Sequence, residues 1–198
     1  MNIKEPLLMP FQNLPFNGDG NIVDNFLMLK NKFNISVAIE TGTCLGYTTK
    51  WLSDNFKRVK TVEVSPLYYD IAKTNRLSGK SNIMMVLGKS EEKLKSMLID
   101  TGDDTIIFLD AHWGNHCPLQ QELDIIAEIG IRPCIVIHDF LVPDHQEFGY
   151  DSYKGQPFTY DWLKDKFVKI YGANGYEYFY NDKADGAMRG VIYLMPKK

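Results

Sequence analysis

Apolar positions along this chain switch between two periods, and the switches alternate in a regular way. Ile22, Val23, Phe26, Leu27 and Leu29 return near helical spacing and predict a helix to about Lys32, after which residues 35–39 form a short β-like run. The glycine-punctuated turn Glu40-Thr-Gly-Thr-Cys-Leu-Gly46 then leads into a predicted helix over 47–56. The order strand, turn, helix repeats. Residues 59–64 precede Ser65-Pro66, an N-cap and first-turn pair for a helix through Arg76. Residues 83–87 precede Gly88-Lys89 and a helix to about Ile99 that Ser90 is placed to cap. The run 105–110 is almost continuously apolar and closes on Asp110, the pattern of a central parallel strand covered on both faces.

Leu119, Leu123, Ile126, Ala127 and Ile129 mark a helical face that stops at Gly130, and residues 134–137 form a fifth strand ending at His138-Asp139. The aromatic, polar stretch 141–158 is long for a connection and reads either as a substrate-facing cover or as an ordered surface excursion. A helix over 160–167 leads to two late β-like segments, 176–180 and 190–195, separated by turn-rich residues. The expected fold is therefore α/β: a seven-stranded, mostly parallel sheet with helices on both faces and a late antiparallel β pair.

Composition narrows this picture. A chain of 198 residues suits one domain and one core. Its 22 basic and 25 acidic side chains give a formal charge of −3, which supplies no chain-wide attraction to DNA or to an anionic membrane. Cys44, Cys117 and Cys134 are an odd set without a CxxC pair, so a reducing, cytoplasmic setting is expected. Pro6, Pro10 and Pro15 break the apolar clusters of the first residues, so no secretory core is expected there and residues 1–21 read as an extended arm or cover.

In an open α/β sheet, ligands bind beyond the carboxyl ends of the strands, where helices also present unpaired backbone donors. Glu40, Glu63, Asp110 and Asp139 all fall at such ends. Solvation and capping explain an acidic end taken singly, but four together form a pattern. Gly42 and Gly46 allow close backbone approach, and Glu63, one strand later, can accept hydrogen bonds from a ribose diol. The full GxGxxG dinucleotide pattern is absent.

The segment Glu40–Gly46, with Glu63 ending the following strand, resembles the class I S-adenosylmethionine-dependent methyltransferases, and the likeness spans most of residues 22–195. It implies a Rossmann-like methyltransferase domain over 22–198, with 141–158 as a substrate-covering insertion. It also implies that Glu40 and the loop with Gly42 and Gly46 approach the methionine portion of the cofactor, that Glu63 binds the ribose, and that Ser90 and Glu91 lie on the adenine side. Phe108-Leu109-Asp110-Ala111-His112-Trp113 further resembles the Phe-Leu-Asp-His-Trp segment of metal-dependent, catechol-type O-methyltransferases, with Ala111 inserted. That likeness implies a divalent cation, Mg or Mn, held by Asp110, His138 and Asp139. Here His138 stands where the family has an oxygen ligand, and Gly114 where it has a basic lysine.

All four histidines, His112, His116, His138 and His145, fall between the end of the fourth strand and the loop after the fifth. His112, His116 and His145 are each candidate bases, and His112, beside Asp110, is the best placed to act with it in catalysis. A zinc site from Asp110, His112, His116 and Cys117 lacks a second ligand pair. The expected activity is transfer of a methyl group to a small hydroxylated acceptor, carbohydrate or phenolic. Alternatives are a metal-independent methyltransferase, an enzyme that cleaves the cofactor, and a nucleoside-binding regulatory module without turnover. No Asn/Asp-Pro-Pro-aromatic signature of base methylation follows the fourth strand. The arm and the 141–158 loop are free either to close an acceptor pocket or to join copies in a homo-oligomer.

Overall fold

The computed structural model describes Pro6 and residues 10–197; residues 1–5 and 7–9 of the expected arm, and Lys198, lie outside the described residues. In chain order the elements are α1 (Gly20–Phe33), β1 (Val37–Thr41), α2 (Tyr47–Asn55), β2 (Arg58–Glu63), α3 (Pro66–Ile71), β3 (Ile83–Leu87), α4 (Ser90–Met97) and β4 (Thr105–Leu109). They continue with α5 (Leu119–Ile129), β5 (Cys134–His138), the short pair β6 (Ser152–Tyr153) and β7 (Gln156–Pro157), α6 (Tyr160–Tyr171), β8 (Tyr176–Tyr180) and β9 (Val191–Pro196). The main sheet has seven strands in the order β3-β2-β1-β4-β5-β9-β8. β1 to β5 run parallel, and β9 is antiparallel to both β5 and β8, as the late β pair predicts.

Strand alternation divides the core in two. Val37, Ile39, Ile107, Leu109, Ile135, Ile137, Ile192 and Leu194 face α4, α5 and α6. Ala38, Ile106, Phe108, Val136, Val191 and Tyr193 face α1 and α2 on the other side. With both faces covered, the strands must be apolar throughout, which is why β1, β4 and β5 read as continuous runs. Each large side chain fully buried in these layers contributes about 1.5–3 kcal/mol. Phe16 belongs to the second layer, with ring centroids 4.8 Å from Phe26, 5.1 Å from Trp51 and 5.3 Å from Phe108. The described part of the arm is thus anchored by an aromatic side chain in the core.

Local chemistry sets the element ends. Asp19 caps α1, accepting from the Asn21 and Ile22 amides, so the helix begins two residues earlier than the apolar spacing alone indicates. Ser65 caps α3, and Pro66 opens it, as expected. The helix predicted to continue to Arg76 instead passes into a π turn over Ala72–Arg76, which sets Ala72 against Gly46. Ser90 does not cap α4: Lys89 holds that position, and the buried Ser90 hydroxyl makes no hydrogen bond. The polypeptide has already turned into the helix at Ser90, so its side chain projects from the first turn rather than reaching back over the free amides.

Candidate active site

Strand order reverses between β1 and β4, so the connections leaving them diverge and open a crevice beyond their carboxyl ends. A cleft of about 260 Å³ lies there, lined by Glu40, Gly42, Glu63, Ser90, Asp110 and His112 among others. Its floor is tightly built. Gly42 has φ +86°, and a Cβ there would stand 2.5 Å from the Asp110 carbonyl oxygen. A side chain would therefore both strain the backbone and push the β1 and β4 ends apart.

Glu40, at 1% exposure, accepts from the hydroxyls of Thr61 at 2.7 Å and of Thr49. Burial pushes its carboxyl up to about 8, with Asp110 and Glu63 adding to the rise. Glu63 is held from both sides: Oε2 accepts from the Cys44 amide at 2.7 Å and Oε1 from the Ser65 amide at 2.8 Å. Burial raises its carboxyl above the usual range, and those amides pull it back. Glu91 turns toward His116, whose Nε2 lies 2.9 Å from Glu91 Oε1. On the arm side, Gln12, Leu14 and Asn17 complete the rim, and the Phe16 amide donates to Thr48 Oγ1 at 2.9 Å.

Against one wall of the cleft stands a cluster of carboxylates and imidazoles. Ligand-type atoms of Asp110, His112 and Asp139 all lie within 4.8 Å of one another, the one such group among the described residues. His112 Nε2 is 2.8 Å from Asp139 Oδ2 and 3.4 Å from Asp110 Oδ1, yet it is buried and makes no hydrogen bond. His112 Nδ1 is 3.2 Å from Asp151 Oδ2 and 3.1 Å from Tyr153 Oη. His138 Nδ1, also buried without a hydrogen bond, is 3.3 Å from both Asp110 Oδ1 and Asp139 Oδ1. Arg189 pairs with Asp139 and with Asp151.

The charges explain the titration behaviour. Burial disfavours charge on His138, but Asp139 and Asp110 outweigh it and push the imidazole up to about 10. His112 is raised further still, against burial, by Asp110, Asp139 and Asp151. The same contacts hold Asp110 and Asp139 below the carboxylate range despite the desolvation that opposes it. The buried His138 and the half-buried His112 thus supply positive charge to carboxylates that would otherwise repel one another.

Solved structures share this architecture. An O-methyltransferase from Bacillus cereus, solved with SAH, aligns with a TM-score of 0.64 at 20% identity, covering 93% of this chain and 85% of its own. The O-methyltransferase TomG from Streptomyces achromogenes, involved in tomaymycin synthesis and solved with SAM, aligns with a TM-score of 0.61 at 16% identity, covering 86% of this chain and 77% of its own. The fold is that of the class I S-adenosylmethionine-dependent methyltransferases. No protein-family model and no curated protein sequence matches the chain. A precorrin 8w decarboxylase from Methanobacterium thermoautotrophicum shares the methyltransferase fold as well, with a TM-score of 0.56 at 13% identity over 96% of this chain and all of its own, so the fold does not fix the reaction.

Within the methyltransferase fold, Glu40, Gly42, Gly46, Glu63 and Ser90 line the cleft, while Glu91 does not. Of the residues expected to hold metal, Asp110 and Asp139 enter the convergent group; His112 joins them, and His138 packs beside both carboxylates. His116 pairs with Glu91, and His145 stacks on Phe148 at 4.6 Å, so neither reaches the cluster. Asp151 and Arg189 have no counterpart in the sequence reading. They lie in loop segments with no local motif. The 141–158 excursion brings Asp151 in because it is ordered at its neck: the Asp151 amide donates to the Asp139 carbonyl at 2.9 Å and the Leu141 amide to that of Phe158 at 2.8 Å. Asp139 itself turns sharply at φ +58°, a conformation Asp tolerates better than most residues, and this redirects the chain after β5.

Proposed function

We propose that this protein is an S-adenosylmethionine-dependent O-methyltransferase acting on a small hydroxylated acceptor beside a divalent cation. One observation carries the reading: Asp110 and His112 belong both to the wall of the cleft and to the convergent acid–imidazole group. A nucleoside site and an oxygen-activating site thereby share a boundary. Fit to the cofactor rests on the Gly42–Gly46 turn, whose backbone lines the cleft, and on the Glu63 carboxylate beside it, with Ser90 also in the lining. Fit to a cation rests on three convergent ligand atoms and the orphan His112 Nε2. The two groups, when bound, supply an electrophilic methyl and a charge that acidifies the acceptor hydroxyl.

The protein's own residues position both. Glu63, fixed by two backbone amides, keeps lone pairs for ribose hydroxyls. Glu40 braces the first turn, whose Gly42 and Gly46 backbone borders the methionine end, and Ser90, with Glu91 beyond it, marks the adenine side. Asp110 and His112 form the catalytic wall, with Asp110, His112 and Asp139 as the ligand set and His138 backing both carboxylates. His112 is therefore a ligand in this reading rather than a free base. Gln12, Leu14 and Asn17 of the arm cover the cleft rim, and the 141–158 segment closes the acceptor side, which suits a carbohydrate or phenolic hydroxyl. Cytoplasmic residence agrees with three unpaired cysteines. Among the described residues, no helix is long and apolar enough to cross a membrane.

A metal-independent methyltransferase is the second reading, favoured by Arg189, which already brings positive charge to Asp139 and Asp151. Product formation from labelled cofactor across phenols and sugars, measured with chelator and after Mn²⁺ or Mg²⁺ is restored, separates the two. Metal-restored methyl transfer is the expected result; full activity under chelation selects the second reading. Absence of saturable cofactor binding by folded protein removes both.

A further inference from the structure

His112 has two ring nitrogens with different surroundings, and that difference carries a consequence for metal choice. Nδ1 meets the Asp151 carboxylate at 3.2 Å and the Tyr153 hydroxyl at 3.1 Å. An ionised carboxylate only accepts hydrogen bonds, so it places the ring proton on Nδ1. The other nitrogen, Nε2, faces Asp139 Oδ2 at 2.8 Å and Asp110 Oδ1 at 3.4 Å, and its lone pair becomes a ligand once a metal ion displaces the second ring proton. A lone pair aimed at two carboxylates needs a positive charge between them, which a proton supplies in the metal-free protein and a metal ion would supply in its place. Ligand atoms each about 2.1 Å from one ion and at right angles stand about 3 Å apart, which matches this spacing.

Resting on the metal reading above, we infer that Asp151, braced by Arg189, is a positioning residue that fixes His112 as a nitrogen ligand and so biases the Asp110–His112–Asp139 site toward Mn²⁺ over Mg²⁺. The bracing is visible in four contacts. Arg189 bridges Asp151 to Asp139, the Asp151 amide donates to the Asp139 carbonyl, and the Gly149 amide donates to the carbonyl of Met188, next to Arg189. A ligand on β5's exit, an imidazole on β4's exit and a carboxylate on the excursion are thereby held as one unit. Imidazole suits first-row transition cations, whereas Mg²⁺ prefers an all-oxygen octahedral shell. A carboxylate on the far nitrogen of a ligating histidine sets its orientation and raises its basicity.

Calorimetric titration of the full-length, chelator-stripped protein with MnCl₂ and separately with MgCl₂ tests this, and Co²⁺ absorption reports the ligand field. Wild type should bind Mn²⁺ at least tenfold more tightly than Mg²⁺. Asp151→Ala should weaken Mn²⁺ about 10- to 100-fold and Mg²⁺ less, while Asp151→Asn, whose carbonyl oxygen still accepts from Nδ1, should keep most of the affinity. His112→Asn, which exchanges nitrogen for oxygen, should erase the preference and shift the Co²⁺ bands. If Asp151→Ala does not fold, Asp151→Asn and His112→Asn still decide the question. An unchanged Mn²⁺ to Mg²⁺ ratio in His112→Asn, or in folded Asp151→Ala, overturns the inference alone; a wild type that binds neither ion overturns the metal reading as well.

Discussion

Glu63 shows how one side chain can be both structural and receptive. Its two oxygens are each held by a backbone amide from a different loop, Cys44 before α2 and Ser65 before α3. The carboxylate therefore reaches the cleft without needing to be ordered by a ligand. Replacing it with Ala should weaken binding of S-adenosylmethionine or S-adenosylhomocysteine about 10- to 100-fold, since hydrogen bonds to a charged acceptor contribute about 1.5–3 kcal/mol. Calorimetry on the folded variant checks this; unchanged affinity would detach Glu63 from the ribose role. Ser90 carries a related lesson. Its place after a glycine turn reads as a cap, but the cap position falls one residue earlier, and Ser90 becomes a buried residue of the first turn that also lines the cleft.

Strands β1 and β4 meet at their exits, and the contact leaves no spare volume. Gly42 stands against the Asp110 main chain, so the turn proposed to approach the cofactor and the residue that heads the acid cluster are mechanically one element. Gly42→Ala imposes a left-handed φ on an alanine and forces a methyl into a carbonyl, which should lower stability by about 1–3 kcal/mol or more. Thermal melting reads the loss, and cofactor titration of the surviving folded fraction should show weaker binding. A melting point equal to wild type would mean that the two exits are not coupled. The 141–158 excursion makes the opposite point: its length alone reads as a cover or a detour, and its hydrogen-bonded neck also makes it the carrier of Asp151 and Tyr153.

Across the molecule, stability should decline as pH rises through neutrality, because carboxyls are buried in the sheet–helix layers. Glu122, on α5 and 1% exposed, is the clearest case: burial pushes it up to about 7. A carboxyl whose folded value exceeds its unfolded value binds its proton more tightly in the native state. Its contribution is whole below about 4.5 and is lost as pH rises through about 7. Glu122→Gln removes that dependence, so the variant should gain about 1–3 kcal/mol over wild type between pH 5 and pH 8. Denaturant unfolding at both pH values measures the change, and a pH-independent difference would show that Glu122 ionises freely in the folded protein.

Element order, the parallel core with its antiparallel edge, and the acidic strand ends were legible from residue order, because burial on one or both faces imposes a period that local sequence must carry. Glu40, Glu63, Asp110 and Asp139 were readable for the same reason, each being the polar stop of an apolar run. Convergence was not. Asp151 and Arg189 lie 38 residues apart and Asp139 lies 50 from Arg189, yet they form one ion-paired unit. The choice of His112 over His138 at the convergent position depends on how the β4 exit and the excursion fold over each other. Those placements come from crossover geometry and loop hydrogen bonds, which leave no periodic trace in the chain.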